Sequence, residues 1–349
     1  IEKIAYELMS PDQIKTFEAN WEMNLSFGVP NVGNFRVNIF RQRGSTSIVI
    51  RFILGNIPAL DELGLPNILG ELIMEKRGLI LIVGATGSGK STTIASMLDH
   101  RNANRSGHIL TVEDPIEFLF KHKKSIVNQR EIGMDTQDWQ SALKNAMRQA
   151  PDCILIGEIR DKETMQAAIA YSQTGHLCLA TLHANNSYHA LNRIISFFPA
   201  ENRPALFLDL SVALRAIISQ RLVKKPDGQR IPTSEIMLNT RHISELIERG
   251  EVQGIKDAME QTLAPGSQTF EQDLFKLYSA GVITIDEALA NADSPTNLSW
   301  LINNSEFGSS NGKEDKKSDT ALEFDSTNEG GTSFKEFTLS LADHDEETS

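Results

Sequence analysis

The chain has 349 residues, 40% of them hydrophobic, and a formal net charge of −12, which suits one large domain or two to three modules. No apolar run approaches the ~20 residues of a membrane-spanning helix, and a chain with two cysteines cannot form a four-cysteine zinc site. Residues 303–349 contain 12 acidic and 4 basic side chains, and neither they nor the rest of the chain has the basic excess typical of nucleic-acid-binding proteins.

The N-terminal segment, residues 1–57, is predicted by its hydrophobic periodicity to form a helix followed by strands. The stretch "NFRVNIFRQRGSTSIVIRFI" predicts a hairpin over residues 34–53, with a two-residue turn at Gly44 and Ser45. One face of this hairpin is apolar and is expected to be buried: Phe35, Val37, Ile39, Ile48, Ile50 and Phe52.

The opposite face of the hairpin carries two arginines. With the turn at Gly44 and Ser45, Asn38 would lie opposite Arg51, and Arg36 opposite Ile53. Taken alone, this pattern is compatible with a solvated face and with a functional arginine pair.

Residues 55–67, "GNIPALDELGLPN", predict a linker because they contain two prolines and two glycines. Beyond it, strand and helix patterns alternate, which predicts a largely parallel sheet covered by helices. The predicted strands are 79–84, 108–114, 125–130, 153–157 and 177–182, and the predicted helices are 91–101, 138–149, 162–173, 187–197 and 203–222.

The stretch "LILIVGATGSGKSTT", residues 79–93, leads from an apolar strand through a glycine-rich turn into a helix that starts near Ser91. It matches the P-loop pattern, with Gly84, Gly89, Lys90 and Ser91 as its fixed residues. In such a loop, backbone N–H groups and the positive end of the helix bind phosphates. The lysine reaches the β- and γ-phosphates, and the serine holds Mg²⁺.

Three further strand ends carry polar groups suited to hydrolysis. Glu113 and Asp114 end "ILTVED", Glu158 follows "CILIG", and His183 follows the strand that His176 begins. Ligands of open α/β sheets bind at the carboxyl ends of the strands. Each of these residues alone could be a solvated or structural group, but together they predict one site for water activation and metal binding. Metal binding by the two histidines is not expected, because they lie seven positions apart along a strand.

The segment 240–304 is predicted to be almost entirely helical with short connections. The remainder is rich in Ser, Asn, Gly, Asp and Glu, a composition typical of a disordered acidic tail.

These motifs resemble those of hexameric secretion ATPases, and most closely the type IV pilus retraction ATPases of the PilT/PilU family. "GATGSGKSTT" resembles the Walker A motif, "TVEDPIE" the acidic box, "DCILIGEIRD" the Walker B motif and "TGHLCLATLHANN" the histidine box. Their order and spacing also agree over residues 4–304.

The resemblance implies a role for each box. In the family's Walker B motif, glycine, here Gly157, replaces the usual magnesium ligand, so Glu158 would activate water and His183 would sense the γ-phosphate. Glu113 would be the second catalytic carboxylate. The implied Mg²⁺ ligands are Ser91, Glu113 and Asp114. ATP would be bound by Gly84, Ala85, Thr86, Gly87, Ser88, Gly89, Lys90, Ser91 and Thr92.

Members of the family form rings in which a PAS-like N-terminal domain provides arginines to the nucleotide of a neighbouring subunit. Arg36, Arg43 and Arg51 resemble these positions, which favours the functional interpretation of the hairpin face as arginine fingers acting in trans. Family members have a longer segment before the point where this sequence begins. The resemblance therefore implies an incomplete N-terminal domain.

Within the family the sequence favours PilU over PilT. PilT-type chains carry "AIRNLIRE" where residues 241–250 read "RHISELIERG", and residues 266–304 with the acidic tail look PilU-like. The resemblance implies a cytoplasmic homo-hexamer at the inner-membrane base of the pilus. Its implied partners are a platform protein and a paralogous retraction ATPase, with no nucleic acid.

The expected fold is α/β: a RecA-like P-loop ATPase core with a partial PAS-like N-terminal domain and a helical C-terminal region. Three alternatives stay open, namely a PilT-like main motor, a nucleotide-binding accessory without turnover of its own, and a nucleic-acid translocase. The predicted domains are 1–57 (PAS-like), 58–66 (linker), 67–239 (ATPase core), 240–304 (helical region) and 305–349 (acidic tail).

Overall fold

The computed structural model describes residues 1–29, 32–53, 56–262 and 264–310, of which Ile1–Asn304 form one compact unit. The acidic tail from residue 311 onward, with its predicted disorder, lies outside the described residues, as does Gly55 of the predicted linker. None of the helices in the described part is long and apolar enough to cross a bilayer.

The N-terminal segment contains two helices, rather than the one predicted, and a three-stranded antiparallel sheet in the order β1-β2-β3. Helix α2 begins with a capping box, in which Ser10 and Gln13 satisfy each other's backbone N–H groups. The elements are α1 (Glu2–Leu8), α2 (Pro11–Asn20), β1 (Glu22–Val29), β2 (Gly33–Gln42) and β3 (Ser45–Ile53).

The predicted hairpin forms, but its predicted register is wrong by two positions. Gln42 pairs with Ser45, so the turn consists of Arg43 and Gly44, which have φ angles of 48° and 77°. Two-residue turns with positive φ at both central positions match the twist of the strands they join. The shift preserves the faces of the strands and places Arg36 directly opposite Arg51.

The predicted apolar face is buried on the central strand β2 more than on the edge strand β3. Val37 and Ile39 are fully buried against α1 and α2, whereas Ile50 and Phe52 are 51% and 49% exposed. The prediction that these two are buried is wrong, because they lie on the edge strand β3, whereas Val37 and Ile39 lie on the central strand β2.

The central sheet has seven strands in the order β10-β9-β4-β8-β7-β5-β6, all parallel except β10, which is antiparallel to β9. The five predicted strands are confirmed within one or two residues at each end. The strands are β4 (Gly78–Val83), β5 (Gly107–Glu113), β6 (Ser125–Glu131), β7 (Cys153–Ile156), β8 (Leu177–Leu182), β9 (Leu214–Lys224) and β10 (Arg230–Leu238).

Helices cover both faces of this sheet and enclose an apolar core on each. This arrangement confirms the predicted α/β class. The helices are α3 (Ile68–Ile73), α4 (Lys90–Asn104), α5 (Trp139–Ala146), α6 (Lys162–Gln173), α7 (Ser187–Ser196) and α8 (Arg203–Ala213), with short 3-10 turns at Leu60–Leu63, Met147–Gln149 and Ala200–Asn202.

The predicted helix over residues 203–222 is wrong in its second half. Helix α8 ends at Ala213, and the following "LRAIISQRLVK" forms β9, which lies between β4 and β10. A strand that is largely buried on both faces lacks the alternation of a half-exposed strand, so periodicity does not distinguish it from a buried helix. Strand β10 was not predicted either.

The C-terminal region is helical, as predicted. Its first two helices pack on the core of the central sheet, and its last three form a smaller apolar cluster with Val223 of β9. Its last helix continues to Ser310, six residues past the predicted end of the helical region at 304. The helices are α9 (Arg241–Glu248), α10 (Ile255–Gln261), α11 (Phe270–Ser279), α12 (Ile285–Asn291) and α13 (Pro295–Ser310), with a 3-10 turn at Val252–Gly254.

Candidate nucleotide-hydrolysis site

The glycine-rich loop joins β4 to α4, as the sequence predicts. Gly84 has a φ of 153°, and a Cβ atom there would lie 2.5 Å from Ser88 Oγ and 2.6 Å from the Gln220 carbonyl oxygen. A side chain at this position is therefore excluded by both conformation and space. Glycine allows the loop to fold tightly against β9.

Lys90, the first residue of α4, is held by its own loop. Its Nζ donates hydrogen bonds to the carbonyl oxygens of Gly84 (2.8 Å) and Ala85 (2.9 Å). Burial lowers the pKa of the Lys90 ammonium, and the nearby carboxylates of Glu158 and Glu117 oppose that shift. The amine is thus held by the loop carbonyls within the electrostatic influence of two acids.

A cleft of about 620 Å³ opens above this loop at the carboxyl ends of the strands. It brings together most of the predicted site residues, which come from the loop, three strand ends and the N-terminal sheet. The predicted residues that line it are Thr86, Gly87, Gly89, Lys90, Ser91, Thr92, Glu113, Asp114, Glu158, His183 and Arg51.

Glu113 is the most perturbed carboxyl group of the cleft. Its Oε1 accepts hydrogen bonds from Thr111 Oγ1 (2.6 Å) and Gln129 Nε2 (3.3 Å). Burial nevertheless dominates and raises the pKa of Glu113 to about 7. The side chain can therefore gain or lose a proton near neutral pH.

The predicted magnesium ligands, Ser91, Glu113 and Asp114, share this cleft. Their hydroxyl and carboxylate oxygens are the donors that Mg²⁺ prefers, and this ion commonly keeps water and phosphate oxygens among its ligands. Within the described residues there is no group of three or more His, Cys, Asp or Glu side chains that could hold a metal ion by itself. The donor set therefore fits a magnesium ion shared with a bound phosphate.

Glu158 lies at the centre of a small polar network. Its Oε1 lies 3.3 Å from His183 Nε2, and its Oε2 accepts a 2.7 Å hydrogen bond from Arg160 Nε. Arg160 also reaches Asp114, with 3.4 Å between Nη1 and Oδ2. The hydrogen bond to Glu158 raises the pKa of Arg160, so this cation stays charged beside the two acids.

Gly157 precedes Glu158 where β7 passes close to β5. A Cβ atom on Gly157 would lie 3.1 Å from both the Cα atom of Glu113 and the carbonyl oxygen of Val112. Its N–H donates to that same carbonyl at 2.8 Å. The glycine therefore permits a close approach of two backbones at this strand end.

Of the three predicted arginines, Arg51 lines the cleft of its own chain, whereas Arg36 and Arg43 are not among the lining residues of the described part. The N-terminal sheet contacts the core through Ser26 Oγ, which donates to Glu131 Oε1 at 3.3 Å. Arg43 is instead exposed in the hairpin turn. The predicted action of these arginines in trans stays a prediction.

His176 lies apart from the cleft, at the opposite end of β8 from His183, where its Nδ1 contacts Thr174 Oγ1 at 3.1 Å. The expectation that the two histidines do not share a metal stays a prediction. Three predicted ATP-binding residues of the loop do not line the cleft: Gly84, Ala85 and Ser88.

Sequence reasoning missed Arg160, Glu117 and Gln220. Arg160 follows Glu158 by two positions, and alternation beyond the strand end could have indicated that both point the same way. Gln220 accepts a 2.7 Å hydrogen bond from Thr93 Oγ1, and β9, which carries it, was predicted to be a helix. Its side chain fixes the first turn of α4 beneath the loop.

Comparison with known proteins identifies the family. The model of the family "Type II/IV secretion system protein" matches residues 20–253. The chain is also 49% identical to the type IV pilus ATPase PilU of Pseudomonas aeruginosa, over 84% of this chain and 78% of that protein. This chain belongs to the PilT/PilU family of secretion ATPases.

Other members of the family agree with this assignment. The type IV pilus retraction ATPase PilT of the same organism is 40% identical over 85% of this chain and 87% of its own length. A crystal structure of the pilus retraction motor PilT with bound ADP superposes with a TM-score of 0.80 at 44% identity, covering 85% of this chain and 84% of that one. The RecA-like fold class predicted from the motifs is thereby confirmed.

Proposed function

We propose that this protein is an ATP-hydrolysing motor of type IV pilus retraction, PilU-like in kind. The observation that carries the proposal is the polar network of Glu158 and His183 at the edge of a cleft floored by the loop of Lys90. The greater identity to PilU (49%) than to PilT (40%) supports the PilU-like assignment.

ATP binding follows from the loop and α4. Backbone N–H groups from Gly84 to Thr92 and the positive end of α4 would bind the phosphates. Lys90 would exchange its two carbonyl partners for phosphate oxygens, which are stronger acceptors because they are charged. Mg²⁺, held by Ser91, Glu113 and Asp114 together with the phosphates, would neutralise the charge that develops during phosphoryl transfer.

Hydrolysis requires a base that orients the attacking water. Glu158 fits this role, because it lines the same cleft as Lys90 and Ser91 at the start of α4, which would hold the γ-phosphate and its Mg²⁺. His183, in contact with Glu158, would register whether that phosphate is present. Arg160 would orient the carboxylate through its hydrogen bond to Oε2.

Assembly would complete the site. We infer a homo-hexamer in which the hairpin arginines, Arg36, Arg43 and Arg51, act on the nucleotide of a neighbouring subunit. The motor would work in the cytoplasm at the inner-membrane base of the pilus, with a platform protein and a paralogous retraction ATPase as partners and without nucleic acid. Rotation of the N-terminal sheet about the linker between residues 55 and 60 would be the output.

Two assays test this function. Purified full-length protein should hydrolyse ATP, and Lys90→Ala should lose both nucleotide affinity and turnover. Absence of turnover in the intact protein with nucleotide binding retained would favour the accessory alternative, and stimulation by DNA with a steep salt dependence would favour a translocase.

In the cell, deletion of the gene should give excess pili or weak surface motility. Loss of all pili would instead indicate a role in assembly.

A further inference from the structure

A side chain of β9 forms a hydrogen bond with the loop that follows His183. Arg221 donates from Nη2 to the carbonyl oxygen of Asn185 at 3.2 Å, only two residues beyond His183. The same guanidinium forms an ion pair with Asp293 and a hydrogen bond to the carbonyl oxygen of Asn291. A single cation thus connects the histidine loop to the segment between α12 and α13.

The carboxylate of Asp293 contacts the same loop directly. Its Oδ2 accepts a 2.7 Å hydrogen bond from Asn186 Nδ2, while Asn186 Oδ1 caps α7 by accepting from the His189 N–H at 2.8 Å. Both ends of the Asn186 amide are therefore engaged, one by the first turn of α7 and the other by the C-terminal region.

The Arg221–Asp293 pair is itself firmly placed. The guanidinium stacks on the ring of Phe270 at 3.9 Å, and the backbone N–H of Ser294 donates to Glu271 Oε1 at 2.7 Å. The two charged side chains are only 22% and 17% exposed, respectively, so solvent screens their attraction weakly. Phe270 and Glu271 begin α11, so three of the C-terminal helices meet at this pair.

The residues on either side of Arg221 belong to the nucleotide cleft. Gln220 bonds to Thr93 beneath the phosphate-binding loop, and Leu222 lines the cleft. Successive residues of a strand point to opposite faces. Gln220 and Leu222 therefore face the nucleotide cleft, and Arg221 faces the C-terminal helices. A shift of those helices would therefore act on the histidine loop from the far side of β9.

A second carboxylate holds α7 independently of the C-terminal region. Glu235 on β10 accepts from both the N–H (2.7 Å) and the Oγ (2.6 Å) of Ser187, and from Ser219 Oγ at 3.1 Å. These contacts tie α7 to the sheet. What distinguishes the Arg221–Asp293 pair is that it joins the residues between His183 and α7 to the C-terminal helices.

We propose that Arg221 and Asp293 are positioning residues for His183, through which the C-terminal helices set the rate of ATP hydrolysis. The inference rests on the proposed ATPase function. The C-terminal helices would thus control the contact between His183 and Glu158 without touching the nucleotide themselves.

The first test is a double-mutant cycle in the full-length protein. Asp293→Asn keeps the shape of the side chain and removes its charge, and we expect kcat to fall about 10- to 100-fold, the scale of a misplaced catalytic group. Affinity for a fluorescent ADP analogue should change less than about threefold, since no phosphate contact is lost. Arg221→Lys, which keeps the charge but not the planar fork, should retain more activity than Arg221→Ala.

The decisive comparison adds His183→Ala. If Asp293 acts through His183, the double variant Asp293→Asn/His183→Ala should be no slower than His183→Ala alone. Fully multiplicative losses would overturn the proposal, because they would mean that the two residues act independently. Arg193→Ala is the matched control: this arginine also stacks on a phenylalanine ring, Phe197, but at the far end of α7. Its kcat should match that of the unmodified protein.

A second readout separates this inference from the proposed function. Amide hydrogen exchange of residues 185–189 should be faster in Asp293→Asn than in the unmodified protein, with α4 unchanged, whether or not the protein hydrolyses ATP. Unchanged exchange at these amides would overturn the positioning role. Loss of protection throughout the chain would also overturn it, since the pair would then be a general stabilising contact.

Discussion

His183 Nε2 lies 3.3 Å from Glu158 Oε1, across the gap between the ends of two neighbouring parallel strands. The other carboxylate oxygen is occupied by Arg160, so the chain itself engages both oxygens of Glu158. A γ-phosphate that attracts either partner would release one oxygen to accept a hydrogen bond from water. In the proposed function, the contact would thus link sensing of nucleotide to activation of water.

Glu158→Gln should separate binding from chemistry. The amide keeps the shape of the side chain but cannot accept a proton, so turnover should fall by ~10²-fold or more, while ATP affinity persists. Steady-state turnover and equilibrium binding of labelled nucleotide measure the two quantities. Near-normal hydrolysis would transfer the role of base to Glu113.

Arg51 should act across a subunit boundary, although it lines the cleft of its own chain. Arginine fingers can contribute ~10³-fold or more to turnover, so Arg51→Ala and Glu158→Gln should each be nearly inactive. When the two proteins are mixed, rings in which an intact Arg51 faces an intact Glu158 should recover activity. If mixed rings form and stay inactive at every ratio, the arginine works within its own subunit.

Glu113 should make stability depend on pH in protein kept free of metal and nucleotide. Burial raises the pKa of Glu113 from 4.5 to about 7, so the folded state binds more protons than the unfolded state in this window. The free energy of unfolding should therefore fall as pH rises from about 5 to about 8, by roughly 1–3 kcal/mol relative to Glu113→Gln. Urea unfolding at several pH values measures the difference, and parallel pH profiles for the two proteins would contradict the raised pKa.

Truncation after Ser310 should leave folding and basal ATPase activity intact. Helix α13 ends there, and the acidic composition of the remaining segment suits a solvated chain that adds nothing to the core. Thermal unfolding and turnover of the truncated and full-length proteins provide the comparison. Aggregation or lost turnover after truncation would mean that the tail packs on the body.

The features predicted correctly are those that are encoded locally. The loop from Gly84 to Ser91 and the acids that follow β5 and β7 are adjacent in sequence to the strands that position them, and parallel strands bring their carboxyl ends together. By contrast, β9 has no readable period because both of its faces are buried, so Gln220 and Arg221 were hidden within a predicted helix.

Other features depend on geometry that no single stretch contains. The hairpin register followed from a turn at Arg43 and Gly44, one residue earlier than the composition suggested. The contacts of Glu158 with Arg160 and His183 depend on the spacing of β7 and β8 and on side-chain rotamers. Such contacts can be expected from a strand-end pattern, but they cannot be assigned partner by partner.

The close approach of β5 to Gly157 limits how this site can change by mutation. An aspartate at Gly157, which would resemble a conventional Walker B acid, needs a Cβ atom 3.1 Å from main-chain atoms of Val112 and Glu113. The two strands would have to separate by a few tenths of an ångström before the new carboxylate could be used, and that movement would displace Glu113 and Glu158 together. With this strand spacing, an aspartate at Gly157 would therefore disturb Glu113 and Glu158, the two carboxylates on which the proposed hydrolysis depends.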